Sequence, residues 1–241
     1  VLTLATIIGI AAGALSGALA AGKVRMDLIG VVMVGFVTAL GGGTLRDVLL
    51  GNYPLFWVRE PAYVLLVVAV SVATLSIGKL MKYFRQLYLI FDAIGLVVFS
   101  IMGAQVALSM KTGVIVACVA AVATGVAGGI LRDLLCDRVP LVFQEGETLY
   151  ASVSLLVCLV YVGLGASGMS QNAAVTLTVA FGIALRIAAL RYRIKLPVFE
   201  YEETYYDNRK AVRRMLQELR QRWVRKEAVG DTLKAGTPDV L

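Results

Sequence analysis

The chain is predicted to be an all-α membrane protein, and three observations predict it. Of its 241 residues, 59% are hydrophobic, against about 45–50% in an ordinary soluble domain. Mean hydropathy is +0.82. The apolar excess is confined to residues 1–190, in runs near 20 residues long, the length a helix needs to cross a bilayer. None of these runs shows the alternating period of a barrel strand, so the class is a helical bundle.

Seven spans follow, at about 1–21, 28–51, 61–81, 87–110, 113–136, 148–167 and 171–190, with short connections. The first lacks the basic start and short apolar core of a signal peptide and reads as a true span. It carries Gly9, Gly13 and Gly17 at four-residue spacing, a stripe that lets another helix approach. The second holds Thr38-Ala-Leu-Gly41-Gly42-Gly43-Thr44-Leu45-Arg46-Asp47, and the fifth holds Thr124-Gly-Val-Ala-Gly128-Gly129-Ile-Leu131-Arg132-Asp133. These two stretches lie 86 residues apart, and over 38–54 against 124–140 eight of 17 positions are identical. The fourth span repeats the stripe of the first: Gly95 and Gly103 match Gly9 and Gly17 at the same offset.

The repeat therefore covers three helices. Residues 1–81 form the first repeat, 87–167 the second, 171–190 an added seventh helix, and 191–241 a basic tail. An odd number of spans per repeat inserts the second copy upside down, an arrangement found in transporter-like folds with sites near the midplane. Lysine and arginine set the orientation. Lys23, Arg25, Lys79, Lys82, Arg85 and Arg138 join the tail on one side, while the other has mainly Arg59 and Lys111. The N-terminal end is expected outside and the C-terminus in the cytoplasm.

There is no histidine, which removes His-based triads, general bases and metal ligands. Cys118, Cys136 and Cys158 form no close-spaced pair along the chain and read as small buried hydrophobes. With no evident nucleophile–base pair among the intramembrane polar groups, the sequence predicts no enzyme, catalytic residue or metal site. From Arg191 the composition changes. Residues 197–206 are acidic and aromatic, 207–228 alternate apolar and basic residues with helical period, and 229–241 read as disordered. The basic helix would suit anionic lipid or serve as a solvated tail; no motif points to nucleic acid.

Glycine clusters and an Arg-Asp pair inside apolar helices are costly. Counting about 1.5 Å per residue from residue 28 puts Gly42 about 21 Å along its span, past the middle of a core about 30 Å thick. Gly128 reaches a similar depth from the opposite face. Bends at Gly41, Gly42 and Gly43 and at Gly128 and Gly129 would free carbonyl oxygens, tolerable only where backbone is buried in protein or lines water. Two such bends suggest an ion or small-solute path, with Thr38 and Thr124 adding hydroxyl ligands. Close helix packing is the plainer account of the same glycines. Arg46 and Arg132 either snorkel or find partners inside the bundle. Adjacent residues on a helix do not face each other, so cross-helix pairing is expected in preference to Arg46–Asp47 and Arg132–Asp133, with Asp92 the partner for Arg132. Arg186 is expected to snorkel.

At the doubled motif the chain resembles the prokaryotic branch of the trimeric intracellular cation (TRIC) channels. The run 41–51 and its partner 128–135 carry the resemblance, which covers about 1–195 and leaves the tail outside it. It implies a homotrimer in the inner membrane of a prokaryote, with no cofactor beyond permeant potassium or sodium and bound lipid. It places a pore in each subunit between the second and fifth spans. Gly41, Gly42, Gly43, Gly128 and Gly129 would lie at kinks, and Arg46, Asp47, Arg132 and Asp133 around the conduction path. Animal members bind a phosphoinositide near the second motif, a ligand not carried over to this bacterial-looking chain. The first motif has three glycines and the second Ala127-Gly128-Gly129, so the kinks need not be equal. An arginine beside a cation path must be neutralised by Asp47, Asp92 or Asp133, or move as a voltage-sensitive gate. The same bacterial domain has also been described as a glycine transporter, and a carrier would use the same inverted repeat. A non-conducting anchor for the tail would have no use for the doubled motif.

Overall fold

The computed structural model describes residues 1–76, 84–144, 149–192 and Leu216, with side chains described from Leu87 onward in the segment that begins at residue 84. The chain divides into two units, Val1–Pro197 and Val198–Leu241. All the helices and sites described below belong to the first. Lys79 and Lys82, the acidic-aromatic and terminal stretches of the tail, and all of its basic stretch but Leu216 lie outside the described residues.

Among the described residues there are eight α-helices, one short 3-10 turn and no strand: α1 Leu2–Lys23, α2 Leu28–Leu50, α3 Phe56–Arg59, α4 Ala62–Ser76, α5 Phe84–Ser109, α6 Val114–Leu135, α7 Tyr150–Ala166 and α8 Gln171–Tyr192, with the 3-10 turn at Leu141–Phe143. Five of them (α1, α2, α5, α6, α8) are long and apolar enough to cross a membrane, while α4 and α7 are apolar but shorter, at 15 and 17 described residues. The four-residue α3 was not expected; it folds back under the end of α2.

Local signals fix the helix ends. Asp27 caps α2, its Oδ1 accepting from the Gly30 N–H at 2.8 Å, which satisfies a donor the helix leaves open. At the other end Gly51 adopts φ +66° and the Asn52 N–H bonds back to the Asp47 carbonyl at 2.8 Å, the six-residue closure of a left-handed helix stop. The same closure ends α6, where Asp137 has φ +53° and the Arg138 N–H reaches the Asp133 carbonyl at 2.9 Å. Arg25 after α1 and Lys111 after α5 form a second such pair, at φ +59° and +56°. Both pairs are 86 residues apart.

Packing follows the same pairing. In the first half α1 packs on α2 and α4, and α2 on α4; in the second α5 packs on α6 and α7, and α6 on α7. The halves meet through α1 against α5 and α2 against α6, and α8 covers α5 and α7. The glycine stripe of α1 makes these contacts: Gly9 abuts Val98, Gly13 abuts Ala39, and Gly17 abuts Thr38 and Gly35. Contacts run in opposite senses along the paired helices. Gly9 lies by Val98 and Gly13 by Gly95; Gly42 lies by Thr124 and Gly128 by Thr38. Thus α1 and α5 are antiparallel, as are α2 and α6.

Candidate functional site

The site residues foreseen in the sequence fall into three groups. The first is the crossing of α2 and α6. Both helices run unbroken through their glycines, which corrects the expected unwinding. A Cβ at Gly42 would overlap the carbonyl oxygen of Thr124, and one at Gly128 would overlap that of Thr38. The glycines remove side chain rather than helix, so two backbones touch. The Thr38 and Thr124 hydroxyls each donate to the carbonyl four residues back, Val34 and Ala120, at 2.6 Å. Gly43 lies under the Phe56 ring, Gly129 under the Tyr150 hydroxyl, and Gly41 beside Leu131.

The second group surrounds Arg132, which is fully buried. Its Nη1 donates to Asp92 Oδ1 at 2.5 Å and to Ser16 Oγ at 2.8 Å. Its Nε and Nη2 donate to Asp133 Oδ1 and Oδ2 at 2.8 and 3.2 Å. Every nitrogen is therefore satisfied, as a buried charge requires. The partners are held in turn. Tyr150 donates to Asp92 Oδ1, and Tyr88 donates to Asp133 Oδ1, each at 3.0 Å. The Leu141 N–H donates to Asp133 Oδ2 at 3.0 Å. The guanidinium also lies 4.5 Å from the Tyr88 ring centre. A void of about 10 Å³ sits beside this cluster, lined by Ser16, Thr38, Asp92, Phe99, Gly128 and Arg132 among others. That is room for about one water. Asp92 Oδ2 has no partner.

The third group surrounds Arg46, 1% exposed. Nε and Nη2 both donate to Asp47 Oδ1, at 2.9 and 2.7 Å. Asp47 also accepts from Asn52 Nδ2 and, through Oδ2, from the Phe56 N–H, both at 2.8 Å. Arg46 lies 5.4 Å from the Phe56 ring centre and lines an open pocket of about 340 Å³.

Both motif arginines thus bond the adjacent aspartate, against expectation. The rule that neighbours on a helix diverge holds for Cβ atoms. A buried guanidinium on a long stem curls toward the nearest carboxylate, and here each aspartate is already fixed by the loop beyond its helix. Arg186 is corrected too. It does not snorkel but is fully buried, 4.7 Å from the Tyr150 ring centre. No signal in the sequence marked Ser16, Tyr88, Tyr150 or Arg186 as members of the Arg132 network, because they come from four helices distant in the chain.

A family model described as "Glycine transporter" matches residues 3–79 and again 89–166, two matches whose starts are 86 residues apart. The inner membrane protein YadS of Escherichia coli K12 is 34% identical over 199 residues, 82% of this chain and 95% of its own. A TRIC trimeric intracellular cation channel orthologue from Rhodobacter sphaeroides superposes with a TM-score of 0.75 at 37% identity, covering 79% of this chain and 97% of that one. The chain belongs to the prokaryotic TRIC family. A second solved member, reported for conductance through TRIC cation channels, superposes with a TM-score of 0.76 at 33% identity over 85% of this chain and all of its own. This TRIC-family chain carries both motifs within the matched region, and the tail 191–241 lies past the second match, which ends at residue 166.

Proposed function

We propose that this chain is a potassium-permeable monovalent-cation channel, a homotrimer with one pore in each subunit between α2 and α6. Its similarity to solved TRIC channels supports the class. The observation that carries the pore reading lies at the small void, where Arg132 and Asp92 share the wall as an ion pair and Asp133 pairs with the same guanidinium. With Arg186, which stacks on Tyr150 in the same network, two arginines meet two aspartates, so the cluster is formally neutral and presents no net positive charge to a cation. Arg46 and Asp47 cancel at the other end of the crossing.

The path joins the Arg46 pocket to the Asp92 void. Along α1, Thr6 lines the pocket and Gly13 lines the void, about 10 Å apart at seven residues. Buried Ile10 and Phe99 lie between them in one apolar cluster with Leu40. An apolar layer of this kind closes a pore by excluding water, and a one-water void passes no hydrated ion. Opening separates this layer and widens the α2–α6 crossing, with Gly41, Gly42, Gly43, Thr38, Thr124, Gly128 and Gly129 lining the path. A motif arginine that moved across the membrane field would feel about 2.3 kcal/mol per 100 mV, so gating by voltage goes with this reading. Neutralising Arg46 or Arg132 with no effect on open probability at any voltage would remove it.

The architecture inferred with it has seven spans, α4 and α7 being the two short ones, in inverted repeats 1–81 and 87–167, then 171–190 and the tail 191–241. Antiparallel α1/α5 and α2/α6 support the inversion. The N-terminal end faces outside, the tail faces cytoplasmic anionic lipid, and the activity is transport rather than catalysis.

The test is current recording from the purified protein in a planar bilayer with a potassium gradient. Unitary steps reversing near the potassium potential, absent from a Gly42→Leu/Gly128→Leu variant, are expected. A silent bilayer, with saturable uptake of labelled glycine by liposomes of the same preparation, would replace the channel by a glycine carrier.

A further inference from the structure

The two motif arginines are not equally satisfied. Arg132 has a partner for every nitrogen. Arg46 places Nε and Nη2 on Asp47 and leaves Nη1 buried with no partner. Leaving a buried charged donor unmet is costly.

The 86-residue offset shows what is missing. The residues around Arg132 are Asp92, Ser16 and Tyr88; their counterparts are Thr6, Met102 and Leu2. All three line the Arg46 pocket. Where the second half fills the space beside its guanidinium with a carboxylate, a hydroxyl and a phenol, the first half has a shorter hydroxyl, a thioether and an aliphatic chain. The result is the opening of about 340 Å³ onto Arg46.

We propose that this pocket binds a monoanionic oxyanion, a carboxylate or a phosphodiester, whose oxygen accepts from Arg46 Nη1 in the place Asp92 takes beside Arg132. The charges on the wall favour one negative charge over two. Asp47 already neutralises Arg46, and Arg59 and Glu60 on the same wall offset each other, so the pocket offers an unmet donor rather than an excess of positive charge. Arg59 is held there by bonds from Nη2 to Asn52 Oδ1 and the Tyr53 carbonyl, at 2.9 and 3.1 Å. The Phe56 ring covers Arg46, and Thr6 and Gln105 offer further polar groups on the wall. The pocket opens at the end of the bundle where α1 starts and α5 finishes. It is therefore distinct from the void at Asp92. The ligand is either a free small anion or the phosphodiester of an acidic lipid.

Thermal unfolding of the full chain in uncharged detergent, at constant ionic strength, tests this. Acetate and dimethyl phosphate are the soluble probes, with chloride as reference. Mixed micelles of phosphatidylglycerol against phosphatidylcholine are the lipid probe. A bound anion should raise Tm by at least about 2 °C. The deciding variant is Thr6→Asp, which supplies the carboxylate from the chain itself. It should raise Tm without ligand and abolish the response. A response to the soluble probes, lost in this variant, identifies a free-anion site; one to phosphatidylglycerol alone, equally lost, identifies a lipid site. If Thr6→Asp does not fold, Arg46→Gln takes its place and must also lose the response. No rise with any probe, or a rise that survives the variant, overturns the proposal.

Discussion

Gly42 of α2 lies against the carbonyl oxygen of Thr124 in α6, too close for any Cβ at that position. The relationship is returned one turn away, where Gly128 lies against the carbonyl of Thr38. Each glycine meets the threonine that begins the other motif. The four-residue spacing within the motif is thus the spacing of a helix crossing seen from both sides.

Two opposing terms decide what alanine does there. In a helix interior alanine is favoured over glycine by about 0.8–1.0 kcal/mol. Forcing a methyl group into a filled space costs about 1–3 kcal/mol, and here the obstacle is backbone, which cannot rotate away. Gly42→Ala and Gly128→Ala should each lower stability by about 1–2 kcal/mol. Gly163 of α7 has open space where its Cβ would be, so Gly163→Ala should be neutral or raise stability by up to about 1 kcal/mol. Thermal unfolding of the three variants checks the contrast. Stabilisation by all three would mean the α2–α6 crossing is looser than these contacts imply.

Asp92 is the hinge of the buried network, since both Arg132 and Tyr150 donate to its Oδ1. Removing one partner of a buried ion pair costs about 3–5 kcal/mol. Arg132 keeps Asp133 and Ser16 in the variant, so Asp92→Asn should fall at or below the lower end of that range. Tyr150→Phe loses one neutral-to-charged bond, about 1.5–3 kcal/mol. The two changes share an acceptor atom, and their double-mutant cycle should show coupling of about 0.5–3 kcal/mol. Additive unfolding energies would mean that Tyr150 and Asp92 act independently.

The helical class, the doubled motif and the Arg132–Asp92 pair were legible because each follows from local pattern or from charge inside apolar runs. The role of the glycines was legible only in part. Sequence marks where a helix lacks side chain, but the same gap serves an unwound turn or a close crossing, and only the partner helix distinguishes them. Ser16, Tyr88, Tyr150 and Arg186 were illegible as a set. A serine or tyrosine in an apolar helix carries no sign of which distant residue it will meet. Arg186 lies near a helix end, where snorkelling is the usual outcome, yet α8 packs on α5 and α7 and Arg186 is fully buried.

Arg186 offers a direct check on this packing. It is fully buried and lies 4.7 Å from the centre of the Tyr150 ring. A planar guanidinium stacks on such a ring, whereas an ammonium is a strongly hydrated point charge. Desolvated cation–aromatic contacts contribute about 2 kcal/mol. Arg186→Lys should therefore lose about 1–2 kcal/mol of stability, and in a Tyr150→Leu background most of that loss should disappear. An unchanged unfolding temperature for Arg186→Lys would return Arg186 to the snorkelling expected of it.

The cysteines test the contact between α6 and α7. Separated by 40 positions in the chain, Cys118 and Cys158 bring their Sγ atoms to 3.5 Å, while Cys136 packs elsewhere, in the cluster with Tyr88. All three are free thiols. A membrane-permeant oxidant should join Cys118 to Cys158, since both thiols can meet by side-chain rotation, and should leave Cys136 reduced. Alkylation after denaturation, read by peptide mass spectrometry, should then label Cys136 alone in the oxidised protein and all three before oxidation. Cys158→Ser should restore labelling of Cys118. A cross-link that includes Cys136, or none at all while an exposed control dithiol is oxidised, would place α6 and α7 in a different register. The same bond gives a functional readout, because it ties the helix that carries Gly128 and Arg132 to a neighbour. If α6 must shift for the void beside Asp92 to widen, oxidation should lower open probability and reduction should restore it.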